Sequence, residues 1–134
     1  MAATIFEHEL AERGLAGVAV SMGTLGIVGR AADPLAVMAL AERGLDLRAH
    51  RSQGLGAGVL RHATAILVME EAHKRTLEAL DPQLTQRVEL LGAHDPSGGS
   101  PEIGDPIGGT LDDFRQCRDR ITRCIDAWLS HPGR

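Results

Sequence analysis

Two Asp-Pro pairs, Asp95-Pro96 and Asp105-Pro106, punctuate the stretch LGAHDPSGGSPEIGDPIGG, residues 91–109. A carboxyl group held in such a loop can work as a general acid, handing a proton to a departing group. The same dipeptide is also an ordinary turn or helix approach, because Asp bonds its own backbone two residues on and Pro fixes φ. Residue type alone leaves both readings open, and an acid also needs a nucleophile to assist. The only thiols are Cys117 and Cys124. They fall on a stripe of Leu111, Phe114, Cys117, Ile121, Cys124, Ile125 and Trp128, whose spacings of three, four and seven mark the buried face of a helix. Seven residues along a helix is ~10.5 Å, too far for a disulfide within it, so both cysteines read as core. The arginines of the same segment (Arg115, Arg118, Arg120, Arg123), with Asp112 and Asp113, read as its solvated face. His8, His50, His62, His73, His94 and His131 show no metal-ligand spacing, and His94 reads as a solvent-facing loop residue. The Gly-rich runs lack phosphate-loop spacing. No metal or cofactor is expected.

The elements that must position these residues follow from periodicity and punctuation. Ile5, Phe6 and Leu10 give the first segment a helical stripe that Gly14 ends. Val18 to Ser21 reads as a short strand entering a Gly-marked loop. Asp33 and Pro34 cap a helix that runs to Gly44. The stretch from Arg48 to His62 is a loop with a weak helix after it. Residues 63–69 and 87–91 are apolar runs of strand length on either side of a helix over 70–80. Thr110 and Asp113 make a capping box for the last helix, Leu111 to Ser130. Helices alternating with strands imply an α/β fold with a parallel sheet. Such domains ordinarily begin with a strand feeding the first helix, where ligands bind, whereas this chain opens on the helix.

With 134 residues the chain has the length of one domain, so residues 1–134 are read as a single unit. Eighteen acidic against 14 basic residues, a formal charge of −4, argue against a nucleic-acid partner. No apolar run suits a membrane span, and the opening residues lack the pattern of a signal peptide. Two cysteines are no disulfide scaffold, so the cytoplasm is the expected compartment.

In order along the chain, MAATIFEHEL, SMGTLGIVGRAADPLAVMALAERGLDLRAHRSQ, ATAILVMEEAHKRTLEAL, VELLGAHDP and IGDPIGG resemble the low-molecular-weight protein tyrosine phosphatases. The resemblance implies a three-layer α/β/α, Rossmann-like fold around a parallel sheet. It also implies a catalytic loop, a Cys followed by five residues and then Arg-Ser-Pro, between the first strand and first helix. The family text continues Met-Ala, and this chain begins with Met1-Ala2. The expectation is that the first, central strand, the nucleophilic Cys and the phosphate-binding Arg lie outside these residues, most simply through a start codon assigned too late.

By the same resemblance Asp105 is the general acid and Asp95 an earlier structural Asp-Pro. Ser21, His50 and Arg51 are supporting residues. Ile107 and Gly108 stand where aromatics often wall the phosphotyrosine pocket. The resemblance implies hydrolysis of a phosphorylated protein or small phosphomonoester. The chain alone is expected to be inactive; a non-catalytic phosphatase-like protein is the alternative. Cysteines confined to the last helix weigh against the related arsenate reductases, which use redox cysteines near mid-chain. Oligomeric state is left open.

Overall fold

The computed structural model describes residues 1–23 and 28–131. Helix α1, Ala2–Glu12, ends as Gly14 turns to φ +64° and Leu15 N–H returns to the Leu10 carbonyl at 2.9 Å, the left-handed cap that glycine makes cheap. Helix α2, Pro34–Ala41, starts where Asp33 accepts from Leu35 N–H at 2.8 Å. The weak segment after Arg48 closes as a short helix α3, Ala57–His62. Helix α4 is Glu71–Leu80, and α5, Leu111–Leu129, opens on the reciprocal Thr110–Asp113 capping box. Strands β1, Ile66–Val68, and β2, Val88–Leu90, pair in parallel, with Ile66, Leu67 and Val68 opposite Val88, Glu89 and Leu90. Two 3-10 segments, Pro82–Arg87 and Leu91–His94, flank β2; periodicity over so few residues did not announce them.

The sheet sorts its side chains by the period of two that the pleat imposes. Ile66, Val68, Val88 and Leu90 face one apolar cluster with Leu60, Leu77 and Leu84, beneath α3 and α4. Leu67 and Met69 face the other, built from Ile5, Ala39, Leu40, Leu91, Phe114, Ile121, Cys124 and Ile125 of α1, α2 and α5. Helices therefore cover both faces of a small parallel sheet, an α/β/α arrangement.

One expected element does not form. Residues 18–21 make no strand; the nearest pairing is an isolated parallel bridge between Gly23 and Gly54. Val18 is 82% exposed and Val20 51%. Their β-branched character favours a strand only where a neighbouring edge supplies a ladder, and none pairs with them among the described residues. Residues 24–27 of the Gly-marked loop lie outside the described residues.

Candidate active site around Asp105

Asp105 lies in the turn that leads into α5. Its Oδ1 accepts from Ile107 N–H at 2.9 Å, an Asx turn, and Gly109 N–H closes back on the Pro106 carbonyl at 2.8 Å. The side chain is exposed, and Oδ2 carries no hydrogen bond among the described residues. Ile107, next along, is 62% exposed.

Around the turn stand Met1, Cys117 and His50. The Cys117 Sγ lies 4.0 Å from the Gly104 carbonyl. Burial lowers the pKa of the Met1 ammonium from 8.0, offset in part by attraction to Cys117 and Asp105. Burial pushes the Cys117 thiol up from 9.0; Asp105 pushes the same way, while the Met1 ammonium and Arg120 oppose it. Burial lowers the His50 imidazolium from 6.5, and the positive charges of Met1 and Arg51 add to that. The α1 N-terminus, the Asp105 turn, the first half of α5 and His50 thus converge on one region.

Of the other expected supporting residues, Arg51 donates through Nη1 to the carbonyls of Arg48, at 3.1 Å, and His50, at 2.7 Å. The Ser21 carbonyl accepts from Gln53 Nε2 at 2.8 Å. Ser21 and Arg51 are thereby joined through segment 51–54, and neither hydrogen-bonds to Asp105.

Cys124 is fully buried and Cys117 half-buried, both within α5. Cys117 and Arg123 do stand as a Cys, five residues and an Arg. In mid-helix, though, the intervening N–H groups are spent on backbone carbonyls four residues back, so they cannot cradle a phosphate. A thiol pushed upward is also a poor nucleophile.

The arginine face of α5 corrects part of the expectation of a solvated surface: Asp112, Asp113 and Arg123 are exposed, but Arg118 is not. Arg118 is 4% exposed and donates through Nη1 to the Ala39 carbonyl at 2.8 Å and to Glu42 at 2.7 Å. Arg115 grips Glu42 with both Nε and Nη2. Asp95 is buried as well, its side chain 3% exposed. Its Oδ1 accepts from Ser97 N–H at 2.9 Å, and its Oδ2 receives Arg120 Nε at 3.0 Å and Arg123 Nη2 at 3.4 Å. The Ser97 N–H first, then Arg120 and Arg123, hold its carboxyl down to about 2. His94 is not solvent-facing either: its side chain is 11% exposed and its Nε2 lies 3.6 Å from Glu89 Oε1. Helix α5 packs between α2 and the 91–103 segment, so Arg118 and Arg120, which helical periodicity places outside α5's apolar stripe, meet protein, while Asp112, Asp113 and Arg123 stay exposed as expected.

Helices thus cover both faces of a parallel sheet, and the Asp105 turn leads into the last helix. A sequence model of the family described as low molecular weight phosphotyrosine protein phosphatase matches residues 1–132. The chain belongs to that family. It is 35% identical over 121 residues to the probable low molecular weight protein-tyrosine-phosphatase EpsP of Ralstonia nicotianae, covering 90% of this chain and 81% of that one. It is 33% identical over 127 residues to a protein-arginine-phosphatase of Geobacillus stearothermophilus, covering 94% and 82%. The solved tyrosine phosphatase AmsI of Erwinia amylovora superposes with a TM-score of 0.87 at 26% identity, over 99% of this chain and 83% of that one.

Proposed function

We propose that the protein is a phosphatase of phosphorylated protein side chains, with Asp105 as its general acid. The attacking thiolate and the arginine that holds the phosphate then come from outside these 134 residues. The observation that carries the reading is the placement of Asp105: an exposed carboxyl, fixed by its own turn, beside the start of α1 in a chain of this family. The chemistry is direct. The thiolate attacks phosphorus, the bond from phosphorus to the leaving atom breaks, and its electron pair goes to the leaving atom. Asp105 protonates that atom, and as a carboxylate it then takes a proton from the water that hydrolyses the thiophosphate. The reducing cytoplasm suits an enzyme that depends on a free thiolate.

Relatives carry the names of tyrosine and of arginine phosphatases. This chain has no tyrosine. Phe6 and Trp128 pack on each other, ring centroids 5.6 Å apart, and Phe114 is buried. Ile107, not an aromatic, follows the Asp105-Pro106 pair, so both phosphotyrosine and phosphoarginine peptides belong in the assay.

The test uses the protein purified from its own cells, with its intact mass measured alongside hydrolysis of phenyl phosphate. Asp105→Asn is expected to lower kcat by about 10²- to 10⁴-fold, and Cys117→Ser to leave it within the assay's error. Activity indifferent to Asp105→Asn, or abolished by Cys117→Ser, would refute the assignment. The confinement of both cysteines to α5 favours one alternative, a non-catalytic protein that binds phosphorylated side chains. Phosphopeptide binding without turnover is the result that would select it.

A further inference from the structure

The 91–109 segment is long for a connection within a compact domain, yet it is tightly held. Arg120 of α5 reaches across and donates through Nη1 to the Glu102 carbonyl at 2.8 Å and through Nη2 to the Ser100 carbonyl. Its Nε is fixed by the buried carboxylate of Asp95 at 3.0 Å, so the planar guanidinium fork is oriented before it meets the loop. The loop lies so close that a Cβ on Gly92 would meet the Pro101 carbonyl carbon at 2.8 Å and Arg120 Nη2 at 3.2 Å. Just past the clamp, Ile103 is buried and donates its N–H to the Met69 carbonyl at 2.8 Å. Asp105 follows two residues later.

Among the described residues the Asp105 side chain hydrogen-bonds only to Ile107 N–H. Its place in space is inherited from the two ends of the 104–109 stretch. Downstream, Thr110 caps α5 and starts the helix. Upstream, Arg120 holds the chain, and Arg120 also belongs to α5. Two of the anchors, the Thr110 cap and the Arg120 grip, therefore sit on one rigid helix, ten residues or ~15 Å apart, and the Ile103 N–H to the Met69 carbonyl ties the same stretch to the end of β1.

We propose that Arg120, oriented by Asp95, is a positioning residue for Asp105: by gripping the carbonyls of Ser100 and Glu102 it sets where the acid stands relative to the leaving atom. This rests on the phosphatase reading above. An acid must come within ~3 Å of the atom it protonates, and a displacement of about 1 Å costs roughly 10²-fold in rate.

The test compares Arg120→Met and Arg120→Lys with the unaltered protein from its own cells, on two esters. With phenyl phosphate, whose leaving group needs a proton, kcat/KM is expected to fall about 10²-fold. With 2,4-dinitrophenyl phosphate, whose leaving group departs unprotonated, it is expected to fall less than about 3-fold, because the acid is then dispensable. In an Asp105→Asn background the Arg120 change is expected to add no further loss on phenyl phosphate. Amide exchange over residues 98–105 is expected to quicken while α4 keeps its protection. Equal losses on both esters would make Arg120 a purely structural residue and overturn the proposal. So would unchanged exchange over 98–105, which needs no turnover to be read. If Arg120→Met does not fold, Arg120→Lys, which keeps the charge beside Asp95 and loses the fork, carries the same comparison. Absence of any Asp105-dependent hydrolysis in the unaltered protein would instead sink the phosphatase reading and take the positioning role with it.

Discussion

Asp95 and Asp105 share a dipeptide and ten residues of loop but differ in surroundings. Asp105 is exposed, and among the described residues its side chain hydrogen-bonds only within its own turn. Asp95 is buried, accepts one backbone N–H and faces two guanidinium groups. Its carboxyl titrates near 2 in the folded chain against an ordinary 3.8, so folding favours the ionised form. The stability this contributes is complete above the ordinary value and is lost as pH falls through the folded one. Urea midpoints of the unaltered protein and Asp95→Asn are therefore expected to differ by a constant amount from pH 7 to about 5 and to converge as the pH drops toward 2. A gap that widened on acidification would contradict the depressed titration. Both aspartates stand out in the sequence, and the resemblance implies an acid's role for Asp105 and a structural one for Asp95. It could not show what makes Asp95 structural, because its partners Arg120 and Arg123 lie 25 and 28 residues away. Helical spacing assigns both arginines to a solvated face; Arg123 does stay exposed, and tertiary packing draws Arg120 inward.

At the scale of elements, what was legible were features whose cause is local. Asp33-Pro34 and Thr110–Asp113 cap helices with atoms two or three residues apart, and the stripe from Leu111 to Trp128 needs only the 3.6-residue period. What was not legible needs a distant partner. Val18 to Ser21 has strand composition but no pairing edge among the described residues. The 3-10 turn Leu91–His94 exists because β2 must bend under α5 at once. Gly92 in that turn is a case where a glycine is required by space: its φ is not positive, yet a Cβ would strike the Pro101 backbone. Gly92→Ala is expected to cost ~1–3 kcal/mol, the range for overpacking, and to quicken exchange at residues 98–103. Gly58, inside α3 with nothing within 4 Å of its added Cβ, is the contrast. Gly58→Ala is expected to be stabilising by ~0.5–1 kcal/mol through helix propensity. Equal effects at the two glycines would mean that close approach of the 91–103 segment is not what constrains Gly92.

Across the whole molecule, the two apolar clusters communicate through very little sheet. Three residue pairs join β1 to β2, yet their side chains alternate, so Ile66 and Val68 bind one cluster and Leu67 and Met69 the other. The chain passes from Leu90, against the first, straight to Leu91, inside the second. Further ties cross beside it: Ile103 N–H to the Met69 carbonyl at 2.8 Å, Glu71 N–H to Glu102 Oε2 at 2.9 Å, and Trp128 Nε1 to Glu89 Oε2 at 2.9 Å. A sheet whose residues belong alternately to both cores cannot lose one core and keep its own order, so the clusters are expected to unfold together. Leu40 and Leu84, each almost wholly buried, lie in opposite clusters. Replacing either by Ala is expected to cost ~2–5 kcal/mol, a large share of the ~5–15 kcal/mol that holds a domain. The single tryptophan, Trp128, reports from the Leu40 side, where it packs on Phe6. Urea unfolding followed by its fluorescence should therefore shift for Leu84→Ala as much as far-UV ellipticity does. A Trp128 transition that stayed in place while ellipticity moved would show that the two faces fold as separate units, with the short sheet too weak to couple them.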